Sequence, residues 1–102
     1  MKAGTWNMTA PTFSWDPKKN AENIRRHGVD FEAAKSVFYD EHAKLINDPD
    51  HSSHEHRFIL LGMSSRFRML LIVHSYRRDE DEIRIISARK ANKHETKEYQ
   101  GD

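Results

Sequence analysis

The chain contains no cysteine, so disulfides, thiolate nucleophiles and cysteine-type zinc sites are excluded. It has no apolar run long enough to span a bilayer, and its first residues lack the basic-then-apolar pattern of a leader. A cytoplasmic protein without membrane attachment is therefore expected. Glycine is scarce, at 4 in 102 residues. No Gly-rich phosphate loop, Walker pattern or G-x-S-x-G elbow occurs, so nucleotide hydrolysis and acyl transfer have no support. Hydrophobic residues are also few, at 36%, which limits the chain to one domain with a modest core.

What the chain has instead is charge. Charged residues make up 32% of it, yet the formal net charge is only +1. That balance hides a local excess. Residues 57–97 hold ten Lys or Arg against five acidic residues, and four of those five form the single cluster Asp79-Glu80-Asp81-Glu82. If the cluster is a hairpin loop, the flanking strands are cationic, and such local fields attract polyanions. An ordinary solvated surface would produce the same counts, so charge alone does not decide the matter.

Residues 1–11 have no periodicity and are expected to form a flexible arm, with one domain over 12–102. Thr12 to Trp15 reads as a short strand. Asp16 supplies an N-cap carboxylate and Pro17 suits the first helical position, while Gly28 supplies the stop. Pro17, Ala21 and Ile24 form the apolar stripe expected for that helix. Asp30 can cap a second helix with Phe31, Ala34, Val37 and Phe38 inward. Ala43 to Asp48 alternates weakly, and Asp50 to His56 is a polar stretch compatible with a turn of helix. Arg57 to Met63, Arg68 to Arg77 and Glu82 to Ala88 then read as three strands with short connections, an antiparallel meander. Lys90 to Tyr99 is helix-compatible. The result is an α+β fold in which two helices cover one sheet face and leave the other partly open.

The run Ile83-Arg84-Ile85-Ile86-Ser87-Ala88-Arg89 carries the best functional lead. A guanidinium on an apolar strand has a desolvation cost and is usually retained where it meets an anion. Arg84 and Arg89 are an odd number of positions apart, so simple alternation sends them to opposite faces. Arg57, His74, Tyr76 and Arg84 are candidates for one shared open face, with the strand register undetermined. His74 or Tyr76 could move protons, and planar arginine forks could hold a phosphate. The plain alternatives are a satisfied structural histidine and a strand-face ion pair. Lys18, Lys19, Arg25, Arg26 and His27 give the first helix a basic side that is equally well read as solvated. His51, His54 and His56 lie near Asp48, Asp50 and Glu55, but H-x-x-H-x-H lacks helix-spaced ligand pairs, so no metal site is expected.

Two groups of residues resemble a known family. Phe13-Ser14-Trp15-Asp16-Pro17-Lys18-Lys19-Asn20, Asn23, His27-Gly28-Val29, Phe31, Ala34 and Phe38 are similar to the opening of BrnT-type toxins. Arg57, Gly62, Ser64, the Ile83 to Arg89 run, Ala91, Glu95 and Tyr99 resemble the remainder, over about residues 12–99. The resemblance implies a RelE-like fold, ribonuclease activity and inhibition of translation. It also implies a BrnA-like antitoxin with a ribbon-helix-helix DNA-binding part, so that the toxin reaches DNA only through its partner.

Together these readings predict a cofactor-free, metal-independent endoribonuclease that attacks through the adjacent 2′-hydroxyl of RNA. Arg57, Arg84 and Arg89 would stabilise phosphate, and His74 or Tyr76 would assist proton transfer. Lys19, Arg66 and Lys90 would contact substrate. The competing reading is a non-catalytic module whose basic sheet face only holds an acidic antitoxin.

Overall fold

The computed structural model describes residues 10–47, 57–77 and 81–101. Most of the N-terminal arm, the His51–His56 cluster and much of the acidic run therefore lie outside the described residues. In chain order the elements are β1 (Thr12–Ser14), α1 (Pro17–His27), α2 (Phe31–Val37), β2 (Lys44–Asn47), β3 (Arg57–Met63), β4 (Met69–Arg77), β5 (Glu82–Lys90) and α3 (Lys93–Tyr99).

The helix starts follow from their caps. Asp16 accepts the Lys18 N–H at 2.9 Å with Pro17 at the first position, and Asp30 accepts the Glu32 N–H at 2.8 Å. Gly28 ends α1 at φ 70°, where its N–H donates to the Ile24 carbonyl. At α3, Asn92 and Glu95 exchange the two hydrogen bonds of a capping box, which delays the helix to Lys93.

The five strands form one sheet in the order β1-β5-β4-β3-β2. The meander β2 to β5 is antiparallel, and β1 adds to the edge of β5 in parallel. α1 adds no residue to the apolar core, which α2 and the turn before it cover on one face of the sheet. Val29, Phe31, Ala34 and Val37 pack there against Leu60, Leu70, Ile72, Ile83, Ile85 and Ala88. Trp15 sits edge-on to Phe31, 6.0 Å between ring centres, beneath the helix pair.

The contact made by α1 differs from the expected apolar stripe. Ile24 is 44% exposed, and the one buried residue of the helix is Asn23. β1 covers β5 only as far as Arg84, so the edge of β5 beyond it needs other partners. The Asn23 amide supplies them. Its Nδ2 donates to the Ala88 carbonyl at 2.8 Å and to the Val29 carbonyl at 2.9 Å, and its Oδ1 accepts the Ala88 N–H at 3.1 Å. One side chain thus replaces a strand and seats α1 along the sheet edge.

The other face of the sheet carries α3 at one end. α3 buries no residue of its own and is held by side-chain tethers. The Arg89 guanidinium forks onto Glu95 at 3.0 and 2.8 Å, the Lys44 ammonium donates to the Glu98 carbonyl, and the Tyr99 hydroxyl donates to Asp40 at 2.8 Å. Burial alone would raise the Asp40 carboxyl. The Met63 and His42 N–H groups and the Tyr99 hydroxyl outweigh it and hold the carboxyl below its ordinary value. The rest of this face is open.

A candidate phosphate-binding cleft

Register decides which side chains meet on the open face. Ser75 on β4 lies opposite Arg57 on β3 and opposite Arg84 on β5, and Arg84 lies opposite Ser14 on β1. Arginine and serine therefore alternate across four strands in one row. The backbones of Arg57 and Arg84 are two strand spacings apart, about 10 Å, within which two guanidinium groups can close on one phosphate. In the next row Arg77 lies opposite Glu82, whose carboxylate accepts the Ser14 hydroxyl at 2.5 Å.

α1 forms the wall of this cleft because Asn23 fixes it at the edge of β5. One lobe, of about 250 Å³, is lined by Lys19, Arg57, Ser75, Arg77, Arg84 and Ile86. A second lobe, of about 320 Å³, adds Arg26, His27 and Ser87 and shares Lys19, Arg57 and Ile86 with the first. Glu22 is the acidic residue in the second lobe, and it pairs with Arg25 at 2.6 Å. Arg84 is half-buried and has no ion-pair partner among the described residues. A cationic recess of this kind suits a polyanion, and the two arginines suit the charge that develops on a phosphoryl group under attack.

A β-bulge overturns the expected parity of Arg84 and Arg89. Val73 pairs with Ser87 and His74 with Ile85, which leaves Ile86 as an extra residue in β5. The alternation shifts by one there, so Arg84, opposite Ser75, and Arg89, opposite Leu71, share the open face. They still do different things. Arg89 sits at the α3 end and is engaged by Glu95, which raises the pKa of the guanidinium and lowers that of the carboxyl.

His74 and Tyr76 do not join Arg57 and Arg84. They lie on the helix-covered face in line with Leu70 and Ile72, and His74 is 0% exposed. The His74 ring packs edge-on to Phe38 at 4.8 Å and to Tyr76 at 5.2 Å. Nδ1 lies 3.4 Å from the Ile72 carbonyl and Nε2 lies 3.2 Å from the Tyr76 hydroxyl. Burial pushes the imidazole down to about 4, against a smaller opposing effect of the Ile72 carbonyl.

Of the proposed substrate contacts, Lys19 lines the cleft. Arg66 lies in the β3–β4 turn, at the opposite end of β3 from Arg57, and Lys90 lies opposite Leu70 near that same end. Sequence reasoning did not assign Ser75, Arg77, Arg26 or His27 to the site. Strand register would have found the first two. The last two were visible as the basic side of the first helix, and only the packing of α1 on the sheet edge turns them towards the cleft.

Comparison with known proteins then decides the lineage. A family model described as the ribonuclease toxin BrnT of type II toxin–antitoxin systems matches residues 15–95. The chain belongs to the BrnT family. The 1.1 Å crystal structure of the Brucella abortus ribonuclease toxin BrnT is similar, with a TM-score of 0.64 and 20% sequence identity. The match covers 82% of this chain and 100% of that one, and at this identity it establishes the BrnT fold alone. No curated protein matches by sequence. The α+β architecture with a C-terminal helix is thus that of the family, and a type II system implies a protein antitoxin as partner.

Proposed function

We propose that the chain is an endoribonuclease toxin that cleaves RNA in the open-face cleft, without a metal ion, through the adjacent 2′-hydroxyl. The observation that carries this reading is the row Arg84–Ser75–Arg57, with Lys19 beside it, on the sheet face opposite α2. In the step proposed, the His27 imidazole takes the proton of the 2′-hydroxyl, whose oxygen bonds to phosphorus while the bond from phosphorus to the 5′-oxygen breaks. The products are a 2′,3′-cyclic phosphate and a 5′-hydroxyl, whose proton comes from a cationic side chain or water. Arg57 and Arg84 stabilise the added charge on the phosphoryl oxygens. His27 is the imidazole that lines the cleft, and it takes over the proton-transfer role first assigned to His74 and Tyr76.

Family membership supports the rest of the reading. The toxin would act in the cytoplasm, where RNA cleavage inhibits translation. A BrnA-like antitoxin with a ribbon-helix-helix part would neutralise it in a hetero-oligomer and supply the only route to DNA. Inducing the wild type and Arg84→Ala in cells, and following growth and mRNA integrity, tests the proposal. The wild type should arrest growth with cut mRNA, and Arg84→Ala should cleave roughly 100-fold more slowly. Arrested cells with intact RNA would instead favour the competing module that only holds an acidic antitoxin.

A further inference from the structure

The turn between β3 and β4 holds Phe67 in a conformation that does not suit phenylalanine. Its φ is 64°, in the left-handed region that bulky side chains rarely adopt. Phe67 is 85% exposed, the most of any large apolar residue among the described residues. Glycine or asparagine would fit that backbone with less strain and expose no aromatic ring. Fold stability therefore does not account for the residue.

The turn is pinned. The Phe67 N–H donates to the Ser64 carbonyl at 2.9 Å, and the Ser64 N–H donates to the Arg68 carbonyl at 2.8 Å. The buried Ser64 hydroxyl accepts the N–H groups of Arg66 and Arg68 at 3.3 and 3.2 Å. The Ser65 N–H donates to the Ser36 hydroxyl at 2.9 Å. An aromatic ring between two arginines is thus held out to solvent on a rigid support.

Beside the turn lies a recess of about 400 Å³, lined in part by Gly28, Ser65, Arg66 and Arg68. Asp30 and Glu32 also line it, on its α2 side. Asp30 caps α2 through the Glu32 N–H, and Glu32 pairs with Lys35 at 3.1 Å. The recess starts where the cleft stops, because His27 lines the cleft and Gly28, the next residue, lines the recess. Arg68 reaches across to the Gly28 carbonyl at 3.4 Å. A basic path thus runs from Arg57, Lys19 and Arg26 past the end of α1 to Arg66 and Arg68. The six residue steps of β3 make it about 20 Å long, room for several nucleotides.

We propose that the Arg66–Phe67–Arg68 turn is a second RNA contact, where an unpaired base stacks on Phe67 and the arginines hold the flanking phosphates. Arginine and aromatic side chains together form the usual platform for single strands, indifferent to sequence because every base has a flat face. The inference rests on the ribonuclease reading and extends its substrate to a single strand that leaves the cleft along α1.

The test measures binding of uncleavable 2′-O-methyl RNA by fluorescence anisotropy, using oligomers of about three and about ten nucleotides. The wild type should bind the longer oligomer more tightly. Phe67→Ala should lose about tenfold in affinity for the longer oligomer and nothing for the shorter, and Phe67→Trp should restore the loss. Phe67→Gly gives the sharpest contrast, since it should raise Tm by relieving the strained φ and still bind RNA as poorly as Phe67→Ala. Equal binding of the longer oligomer by wild type and Phe67→Ala would overturn the proposal. So would an equal loss on both lengths, or a loss of antitoxin binding with RNA binding intact. A wild type that binds neither oligomer would overturn the ribonuclease reading itself.

Discussion

His74 shows how one residue changes meaning once its face is known. Alternation along β4 already groups it with Leu70 and Ile72, and those apolar neighbours were the available sign that it belongs to the core. Which face of β3 carries Arg57 depends on register, and sequence patterning leaves register open. Buried among Phe38, Phe58 and Tyr76, the ring is kept neutral, with its pKa lowered to about 4 from the ordinary 6.5. The unfolded chain then binds more protons than the folded one between those two values, so stability rises with pH there. The contribution is fully present above about pH 6.5 and is lost as pH falls towards 4, on the order of 3 kcal/mol in all. Urea unfolding of the wild type should therefore show a stability loss across that window, and His74→Gln should flatten it. Because the ring is outside the cleft, the same variant should keep RNA cleavage near the wild-type rate.

Among the elements, α1 was read correctly in its bounds and wrongly in its packing. Asp16, Pro17 and Gly28 act locally through the backbone, so caps mark a helix in sequence whatever it packs against. The stripe of Pro17, Ala21 and Ile24 instead assumed an apolar sheet face beneath the helix. α1 meets a sheet edge, whose needs are hydrogen bonds, and the decisive side chain is a polar one in mid-helix. Replacing Asn23 with Ala leaves the Ala88 N–H and carbonyl without these partners at a buried edge, and should cost about 2 kcal/mol in chemical denaturation. Cleavage should fall as well, because Lys19, Arg26 and His27 ride on the same helix. An unchanged unfolding midpoint would show that water replaces the amide at that edge.

At the scale of the whole molecule, the sheet divides its labour between faces. One side is filled by Val29, Phe31, Val37 and their partners, and the other carries the cationic row, with α3 tethered at the far end. If fixed cations supply the charge stabilisation, purified toxin should cleave RNA at an unchanged rate in excess EDTA. Loss of activity there would bring His51, His54 and His56 back as ligands. The α+β layering was legible from the order of the elements and their alternation. The candidate cleft was legible only in part, as Lys19, Arg57 and Arg84, since its other lining residues depend on register and on the seating of α1, and the shared face of Arg84 and Arg89 depends on the bulge at Ile86. That last residue has a consequence for how the chain can vary. A substitution at Ile86 alters one side chain in the cleft wall. A deletion there would close the bulge into a regular ladder, with Ile85 still opposite His74 and Ser87 still opposite Val73, so that Arg84 and Arg89 would keep the open face. The one residue can therefore be lost without sending any side chain of β5 to the other face, and related chains should occur that lack the bulge and carry the two arginines four positions apart instead of five.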